Sequence, residues 1–279
     1  MELKTNMRKR VLLVSDLHYC QRDWYDVPSA ERMEHLLAAL AAEHRRDPYE
    51  MILFLGDYSL DHWQWQEKGT WIEKGKSYTK EFVEEYCGRL PAPHYMIAGN
   101  HEQYGNALWR EITGFDRQFS VPMGNFVFIL LDTYAGNLDP TEHSDGTYTA
   151  IDADYLRAEM AKYPDRKFIL CSHFFDLANE SGEVKELVRD PRVLCFFCGH
   201  THGSNVKTLP ADLGGKKVFF TGNYTGLRTP LDCMWGFRDL VLEEGKLTSS
   251  YIIPEKVLFF KGATVSFPYM KTDVDTVLF

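Results

Sequence analysis

The chain has 279 residues, 44% of them hydrophobic, which is enough apolar material for a large core in one or two domains. No apolar run reaches the roughly 18 residues that a membrane-spanning helix needs. The net charge of −9 also excludes the basic surface that is typical of proteins that bind duplex DNA or membrane surfaces.

Apolar runs alternate with amphipathic segments along the first two thirds of the chain. The run at 11–15 predicts a strand, and it is too short for the roughly 7–15 apolar residues of a signal peptide, which favours a cytoplasmic protein. Strands that alternate with helices predict βαβ units and a largely parallel sheet. The predicted strands are 11–15, 51–55, 94–98, 126–131, 168–171 and 193–197, and the predicted helices are 29–46, 81–90 and 152–162.

After residue 203 the predicted elements are short apolar runs at 218–221, 239–242 and 247–253. Glu244 and Gly245 lie between the last two and predict a hairpin turn. Because no linker or repeat interrupts the chain, we expect one domain over 1–254, with 255–279 as an extension packed on it. Cys195 and Cys198 lie three apart in a predicted strand, so their side chains should point to opposite faces and form no chelating pair.

Polar side chains follow five of the predicted strands. In open α/β sheets the site lies beyond the carboxyl ends of the strands, so these residues should converge. If strand geometry persists, Asp16 with His18, and His200 with His202, each face the same way. The five groups are Asp16 and His18; Gly56 and Asp57; Gly99, Asn100, His101 and Glu102; His173; and Gly199, His200, Thr201 and His202.

These side chains form a mixed nitrogen and oxygen donor set. Imidazoles, two carboxylates and one amide suit Mn, Fe, Zn or Co and do not single out Ca or Mg. Six or more donors exceed what one tetrahedral metal uses, so two metals that share a carboxylate are predicted. A metal pair would add about four positive charges, which leaves an anionic substrate compatible with the acidic chain.

The motifs Asp16-Leu17-His18, Gly56-Asp57, Gly99-Asn100-His101-Glu102, His173 and Gly199-His200-Thr201-His202 resemble those of the calcineurin-like metallophosphoesterases. This resemblance implies an α/β fold, a four-layer sandwich of two mixed sheets flanked by helices, with a di-metal site at the carboxyl ends of the strands. It implies two divalent or trivalent ions, Mn, Fe or Zn, with Asp57 bridging. One ion would bind Asp16, His18, Asp57 and His202, and the other would bind Asp57, Asn100, His173 and His200.

The resemblance also assigns catalytic roles. His101 would not bind metal but would contact the phosphate, beside Asn100, and protonate the leaving group. A water between the metals, activated next to Asp57, would be the nucleophile near neutral pH. The Ser/Thr protein phosphatases have an Asp three residues after the Gly-Asp aspartate. Leu60 occupies that position here and Asp61 comes one later, so the motif set is more similar to the bacterial phosphodiesterase branch.

Three functions remain open at this point. The first is hydrolysis of a small-molecule phosphodiester or phosphomonoester, with no membrane or long nucleic acid as partner. The second is a nuclease on the same site, which the −9 charge disfavours. The third is a non-enzymatic binding scaffold, which the intact motifs disfavour. The sequence does not indicate an oligomeric state.

The segment 58–80 directly follows Asp57 and is rich in aromatic residues. A loop of this length inside a compact domain is typical of functional loops. One interpretation is that Trp63 and Trp65 pack the loop against the domain. The other is that they form a lid on which an aromatic or nucleobase part of the substrate stacks.

Overall fold

A computed structural model of the chain describes residues 8–20, 27–62, 77–138, 144–225, 235–260 and 262–279. Among these residues no helix is both long enough and apolar enough to cross a membrane. The helices are α1 (Ser29–Arg46), α2 (Tyr78–Glu85), α3 (Asn106–Thr113), α4 (Ala153–Lys162) and α5 (Gly182–Arg189). The strands are β1 (Lys9–Val14), β2 (Met51–Phe54), β3 (His94–Met96), β4 (Phe119–Met123), β5 (Phe126–Leu131), β6 (Lys167–Ser172), β7 (Val193–Cys198), β8 (Val206–Thr208), β9 (Lys217–Phe220), β10 (Phe237–Glu243), β11 (Lys246–Ile253), β12 (Lys256–Phe260), β13 (Ala263–Phe267) and β14 (Met270–Leu278).

The strands form two mixed six-stranded sheets and a separate hairpin. The first sheet has the order β14-β11-β10-β1-β2-β3, and the second has the order β4-β5-β6-β7-β9-β8. The parallel strands are divided between them, with β1, β2 and β3 in the first and β5, β6, β7 and β9 in the second. The expectation of two mixed sheets is therefore confirmed, whereas the single, largely parallel sheet predicted from alternation alone is wrong. Antiparallel strands form one edge of the first sheet and both edges of the second.

The core has three layers of apolar side chains because alternate residues of each strand face opposite sides. In β1, Val11 and Leu13 pack between the two sheets, while Leu12 and Val14 pack in the cluster that contains α1. A third cluster joins the outer face of the second sheet to α4 and α5. The four layers are thus helix, sheet, sheet and helix. Cys195 lies between the sheets and Cys198 lies in the outer cluster, so the prediction of opposite faces is confirmed.

Several element boundaries differ from the prediction. The helix expected at 81–90 begins at Tyr78 and ends at Glu85. It begins earlier because Ser77 caps it by accepting from the Lys80 amide, and because the buried Asp61 carboxylate accepts from the first two helical amides. The elements that the pattern did not predict are α3, α5, β4, β8, β12, β13 and β14, most of them short.

The C-terminal part is built from antiparallel strands. Glu243 pairs with Lys246 across the turn at Glu244-Gly245, which confirms the predicted hairpin. β14 pairs with β11 along its length and forms one edge of the first sheet. β12 and β13 pair with each other, and Leu258 of this hairpin is buried in the α1 cluster. Residues 255–279 therefore extend the first sheet and cover part of its helical face.

Three buried arginines hold the loops that follow the strands. Arg32, Arg117 and Arg238 are each almost fully buried, and each donates to several backbone carbonyl oxygens. Such charge-assisted hydrogen bonds fix loop backbones that lie outside the sheet ladders. The accepting carbonyls belong to Leu17, His18 and Tyr224 for Arg32, to Glu102, Tyr104 and Tyr134 for Arg117, and to Phe220, Ser204 and Asn205 for Arg238.

Arg117 also forms a buried ion pair with Asp132, at 2.6 Å between Nε and Oδ2. Replacement of Arg117 with Met should lower the free energy of unfolding by about 3–5 kcal/mol, because it leaves a buried carboxylate without its partner. Urea denaturation measures this change. Arg110→Met is the matched control, because Arg110 pairs with Asp116 on the surface and its loss should cost less than about 1 kcal/mol. Equal effects of the two substitutions would contradict the prediction.

Candidate metal centre

The loops after five parallel strands meet at one edge of the sandwich. The first sheet contributes the residues after β1, β2 and β3, and the second sheet contributes those after β6 and β7. Three groups of side chains there have ligand atoms within 4.8 Å of one another. Asp57 belongs to two of these groups, which is the position that a bridging carboxylate requires. The groups are Asp16, His18 and His202; His18, Asp57 and His101; and Asp57, His173 and His200.

Asp57 lies at the centre of the cluster. Its Oδ2 is 3.5 Å from His18 Nε2, 3.2 Å from His173 Nε2 and 3.7 Å from His101 Nε2. A further close pair joins Asp16 Oδ1 and His202 Nε2, at 3.3 Å. The convergence predicted from the strand ends is therefore observed for both carboxylates.

Asn100 joins the same cluster through its side-chain oxygen. Asn100 Oδ1 is 3.0 Å from His173 Nε2 and 2.9 Å from His200 Nδ1. Bonds of about 2.0–2.2 Å from one ion place neighbouring ligand atoms roughly 3 Å apart. The spacing of these oxygen and nitrogen atoms therefore fits a bound metal, and their chemistry fits a transition metal.

The ligand residues have an unusual backbone conformation. Six described non-glycine residues have a left-handed φ, and five of them are motif residues: Asp16 (55°), His18 (46°), Asp57 (57°), His200 (65°) and His202 (56°). Each such residue costs about 1–3 kcal/mol and persists because its surroundings impose the conformation. Strand geometry therefore does not continue through the two-apart pairs, although the donor atoms of Asp16 and His18 still lie within 4.8 Å of one another. β1 and β7 end before these residues, and the loops turn there.

The motif glycines allow the loops to pack closely. A Cβ at Gly99 would overlap the carboxylate of Asp57, and a Cβ at Gly199 would lie 2.8 Å from Asp16 Oδ2. Any side chain at either position would therefore displace a carboxylate of the cluster. Glycine is thus required at the first position of Gly-Asn-His-Glu and of Gly-His-Thr-His, because the neighbouring carboxylates lie too close for a Cβ atom.

Glu102 organises the loops without facing the cluster. One carboxylate oxygen accepts from the amides of Asp57 and Gly99, both at 2.8 Å, and the other accepts from Tyr58 and Ser59. Burial and the charge of Asp57 raise the pKa of Glu102 to about 8, while these four donors favour its ionised form. The sequence predicted no separate role for Glu102. Its place in the Gly-Asn-His-Glu motif was the only feature that pointed to it.

The imidazoles of the cluster differ in protonation state. Burial lowers the pKa of His18 and of His200 to about 4, so both imidazoles are neutral at pH 7. Burial alone would lower the pKa of His173, but the Asp57 charge raises it to about 9. Burial opposes ionisation of Asp57, yet the neighbouring His173 and His101 hold its pKa well below the usual range. Metal binding at His173 should therefore release a proton.

His101 lies beside the metal donors. Its backbone amide donates to Asp57 Oδ1 at 3.1 Å, and its carbonyl oxygen lies 3.0 Å from His62 Nδ1. Burial lowers the pKa of the His101 imidazole, and the charge of Asp57 opposes this shift. Asp61 is used elsewhere, since its carboxylate binds the amides of Tyr78 and Thr79 at the start of α2. Trp63 and Trp65, predicted to contact substrate, lie outside the described residues.

The left-handed backbone at His202 leads to a test of strain. In metal-free protein, His202→Gly should be more stable than His202→Ala by about 1 kcal/mol, because glycine adopts this φ without steric cost. Both variants remove the same imidazole, so the comparison isolates the backbone. Urea denaturation in the presence of a chelator measures the difference. Equal stability, or a more stable alanine variant, would show that the conformation is not strained.

Comparisons with known proteins agree with this geometry. Residues 9–204 match the family model described as calcineurin-like phosphoesterase. A purple acid phosphatase from yellow lupin (Lupinus luteus) seeds is 13% identical with a TM-score of 0.56, over 96% of this chain and 54% of the lupin chain. The chain thus spans about half the length of that phosphatase.

Two further solved structures are similar at low identity. The Plasmodium protein GAP50, described as the anchor in the inner membrane complex, is 12% identical with a TM-score of 0.52, over 95% of this chain and 90% of that chain. Vacuolar protein sorting 29 from Cryptosporidium parvum is 16% identical with a TM-score of 0.41, over 95% and 98%. No curated protein matches the sequence. At these identities the structural likeness concerns the fold alone.

Proposed function

The chain belongs to the calcineurin-like phosphoesterase family, and from this premise we propose that it hydrolyses a small-molecule phosphodiester or phosphomonoester with two metal ions. Family membership supports metal-dependent hydrolysis of a phosphate ester. The strongest support for the proposal is the position of Asp57. Its Oδ2 lies within 3.7 Å of three imidazole nitrogens, and the residue belongs to two overlapping donor groups.

We assign the donors to two ions. Asp16, His18, Asp57 and His202 would hold the first, and Asp57, Asn100, His173 and His200 would hold the second. When bound, the two ions would polarise the phosphate ester and lower the pKa of a water molecule toward neutrality. Asp57 would be shared, since it lies between both groups.

Protein side chains position the substrate and supply the proton for the leaving group. A water molecule that has lost one proton to solvent supplies the nucleophile as hydroxide, whose oxygen forms a new bond to phosphorus while the bond between phosphorus and the ester oxygen breaks. His101, in its protonated form, donates its proton to the departing oxygen, and a bound phosphate anion favours that form of the imidazole. Asn100, which is one of the donors, and His101, which follows it directly, would contact the phosphate.

A substrate panel tests this function. Purified protein loaded with Mn should hydrolyse a chromogenic mono- or diester, such as nitrophenyl phosphate or bis(nitrophenyl) phosphate, and metal analysis should find two ions per chain. No turnover with two metals bound would favour the scaffold alternative. Faster digestion of single-stranded DNA than of either ester would favour the nuclease, which the net charge of −9 disfavours. The native metals, the small-molecule partner and the cytoplasmic location stay predictions.

A further inference from the structure

Within the part of the chain that the structure describes, the donor side chains of the metal cluster differ in exposure. The side chains of Asp16, His18, Asp57, Asn100, His101 and His173 are all buried. His200 is partly exposed, and 41% of the His202 side chain is exposed. A substrate must therefore reach the cluster past these two histidines. The organic group attached to the phosphate of the substrate would contact the side chains that lie beside His200 and His202.

Aromatic rings lie beside His200 at this opening. The ring centroid of Phe174 is 4.7 Å from that of His200, and the ring of Tyr148 lies 5.8 Å from Phe174 in an edge-on arrangement. Tyr134 lies behind them, 5.9 Å from His200 and 6.1 Å from Tyr148. We call Tyr134, Tyr148 and Phe174 the aromatic wall. Tyr134 is buried, whereas Phe174 and Tyr148 are partly exposed and accessible to a ligand.

The aromatic wall is held in place by hydrogen bonds that leave its faces apolar. The Tyr148 hydroxyl donates to Glu180 and accepts from the Asp176 amide at 3.1 Å. The Phe174 carbonyl oxygen accepts from the Ser172 hydroxyl at 2.8 Å. The Tyr148 ring and the Phe174 backbone are thereby fixed, so little conformational freedom is lost on binding. A planar uncharged ring therefore fits the wall better than a charged or strongly hydrated group.

From this geometry we infer that the substrate has a planar aromatic ring next to its phosphate and that this ring stacks on Phe174. The inference rests on the proposed function, because it places the phosphate at the metal cluster. It defines the substrate class as aryl or nucleobase-containing esters, as opposed to alkyl esters. Phe174 follows the ligand His173 directly, so ring and metal donor are positioned by the same turn after β6.

Binding measurements on the metal-loaded protein test the inference without turnover. Calorimetry compares inorganic phosphate, methylphosphonate and phenylphosphonate, with the non-hydrolysable phosphonate analogue of adenosine monophosphate as the nucleobase ligand. Stacking on an aromatic side chain should make phenylphosphonate bind roughly 5- to 100-fold more tightly than methylphosphonate. Tighter binding of the adenosine phosphonate than of phenylphosphonate would indicate a nucleobase, and the reverse order would indicate an aryl group; either order supports the inference.

Substitutions of Phe174 test whether this residue causes the preference for phenylphosphonate over methylphosphonate. Phe174→Leu should reduce the preference for phenylphosphonate to less than about twofold and leave phosphate affinity unchanged, while Phe174→Tyr should keep the preference. Phe175→Leu is the matched control, because Phe175 is buried and stacks on Phe196 in the outer core. It should lower the melting temperature without changing the preference.

Three outcomes would overturn the inference. They are equal affinity of the wild-type protein for the two phosphonates, an unchanged preference in Phe174→Leu, and an equal loss of affinity for all ligands in that variant. The last would show that Phe174 only supports His200. A wild-type protein that binds two metals but no phosphate would instead defeat the proposed function, and the inference with it.

Discussion

Asp57→Asn is expected to lose metal from both sites together with its activity. The Asp57 carboxylate belongs to two donor groups, and its Oδ2 approaches three imidazole nitrogens within 3.7 Å. An amide has no charge and presents one oxygen, so it cannot replace a bridging carboxylate. Loss of an outer partner of a metal ligand costs about 10–100-fold in affinity or activity, so loss of the bridge should exceed roughly 100-fold. Metal content and kcat/KM measure the two effects.

Asp61→Asn is the matched control for this prediction. Asp61 is also buried and lies only four residues later, but its carboxylate binds the start of α2 and Tyr104. The control should lower the stability of the fold while the metal content stays at two ions per chain. If Asp57→Asn retained two metals and near-normal turnover, the assignment of Asp57 as the bridge would be wrong.

His101→Asn is expected to retain its metals and to lose about 10²–10⁴-fold in kcat, the usual contribution of a general acid. The loss should be smaller for esters of nitrophenol, because a good leaving group departs without a proton. It should be larger for alkyl or ribose esters, whose departing oxygen is strongly basic. A comparison of kcat across leaving groups, together with metal analysis, measures this dependence.

His94→Asn serves as the control for the histidine substitution. His94 lies at the start of β3, the strand that precedes the loop of His101, and at the end of that strand remote from the cluster. It should change neither metal content nor kcat. An equal loss for all leaving groups in His101→Asn would count against the acid role. Loss of metal would mean that His101, which lies 3.7 Å from Asp57 Oδ2, is a ligand.

The donor cluster could be predicted from the sequence because its residues follow apolar runs. The runs before Asp16, Asp57, His173 and His200 were recognisable as strands, and parallel strands end at a common edge. Convergence at that edge therefore needed no knowledge of loop geometry. The two-sheet arrangement was expected only from family resemblance, because alternation does not indicate which strands pair.

Other features depend on contacts between distant parts of the chain and have no local pattern. The start of α2 depends on Asp61, which lies 17 and 18 residues before the two amides it binds. The left-handed backbone of the ligands follows from how the loops pack, so strand geometry does not continue there. The position of Phe174 against His200 likewise requires β6 and β7 to be neighbours. Such contacts appear only when the fold is complete.

The division of the donors between the two sheets has a consequence for the order in which the protein matures. Each proposed metal needs ligands from both sheets, and His200 follows Asp16 by 184 residues. No complete site exists on a ribosome-bound chain until β7 has been synthesised and the sheets have packed together. The ligand residues of the two sheets are therefore brought together only when the native topology is reached. Completion of either metal site is thus a late step of assembly, later than the synthesis of β7.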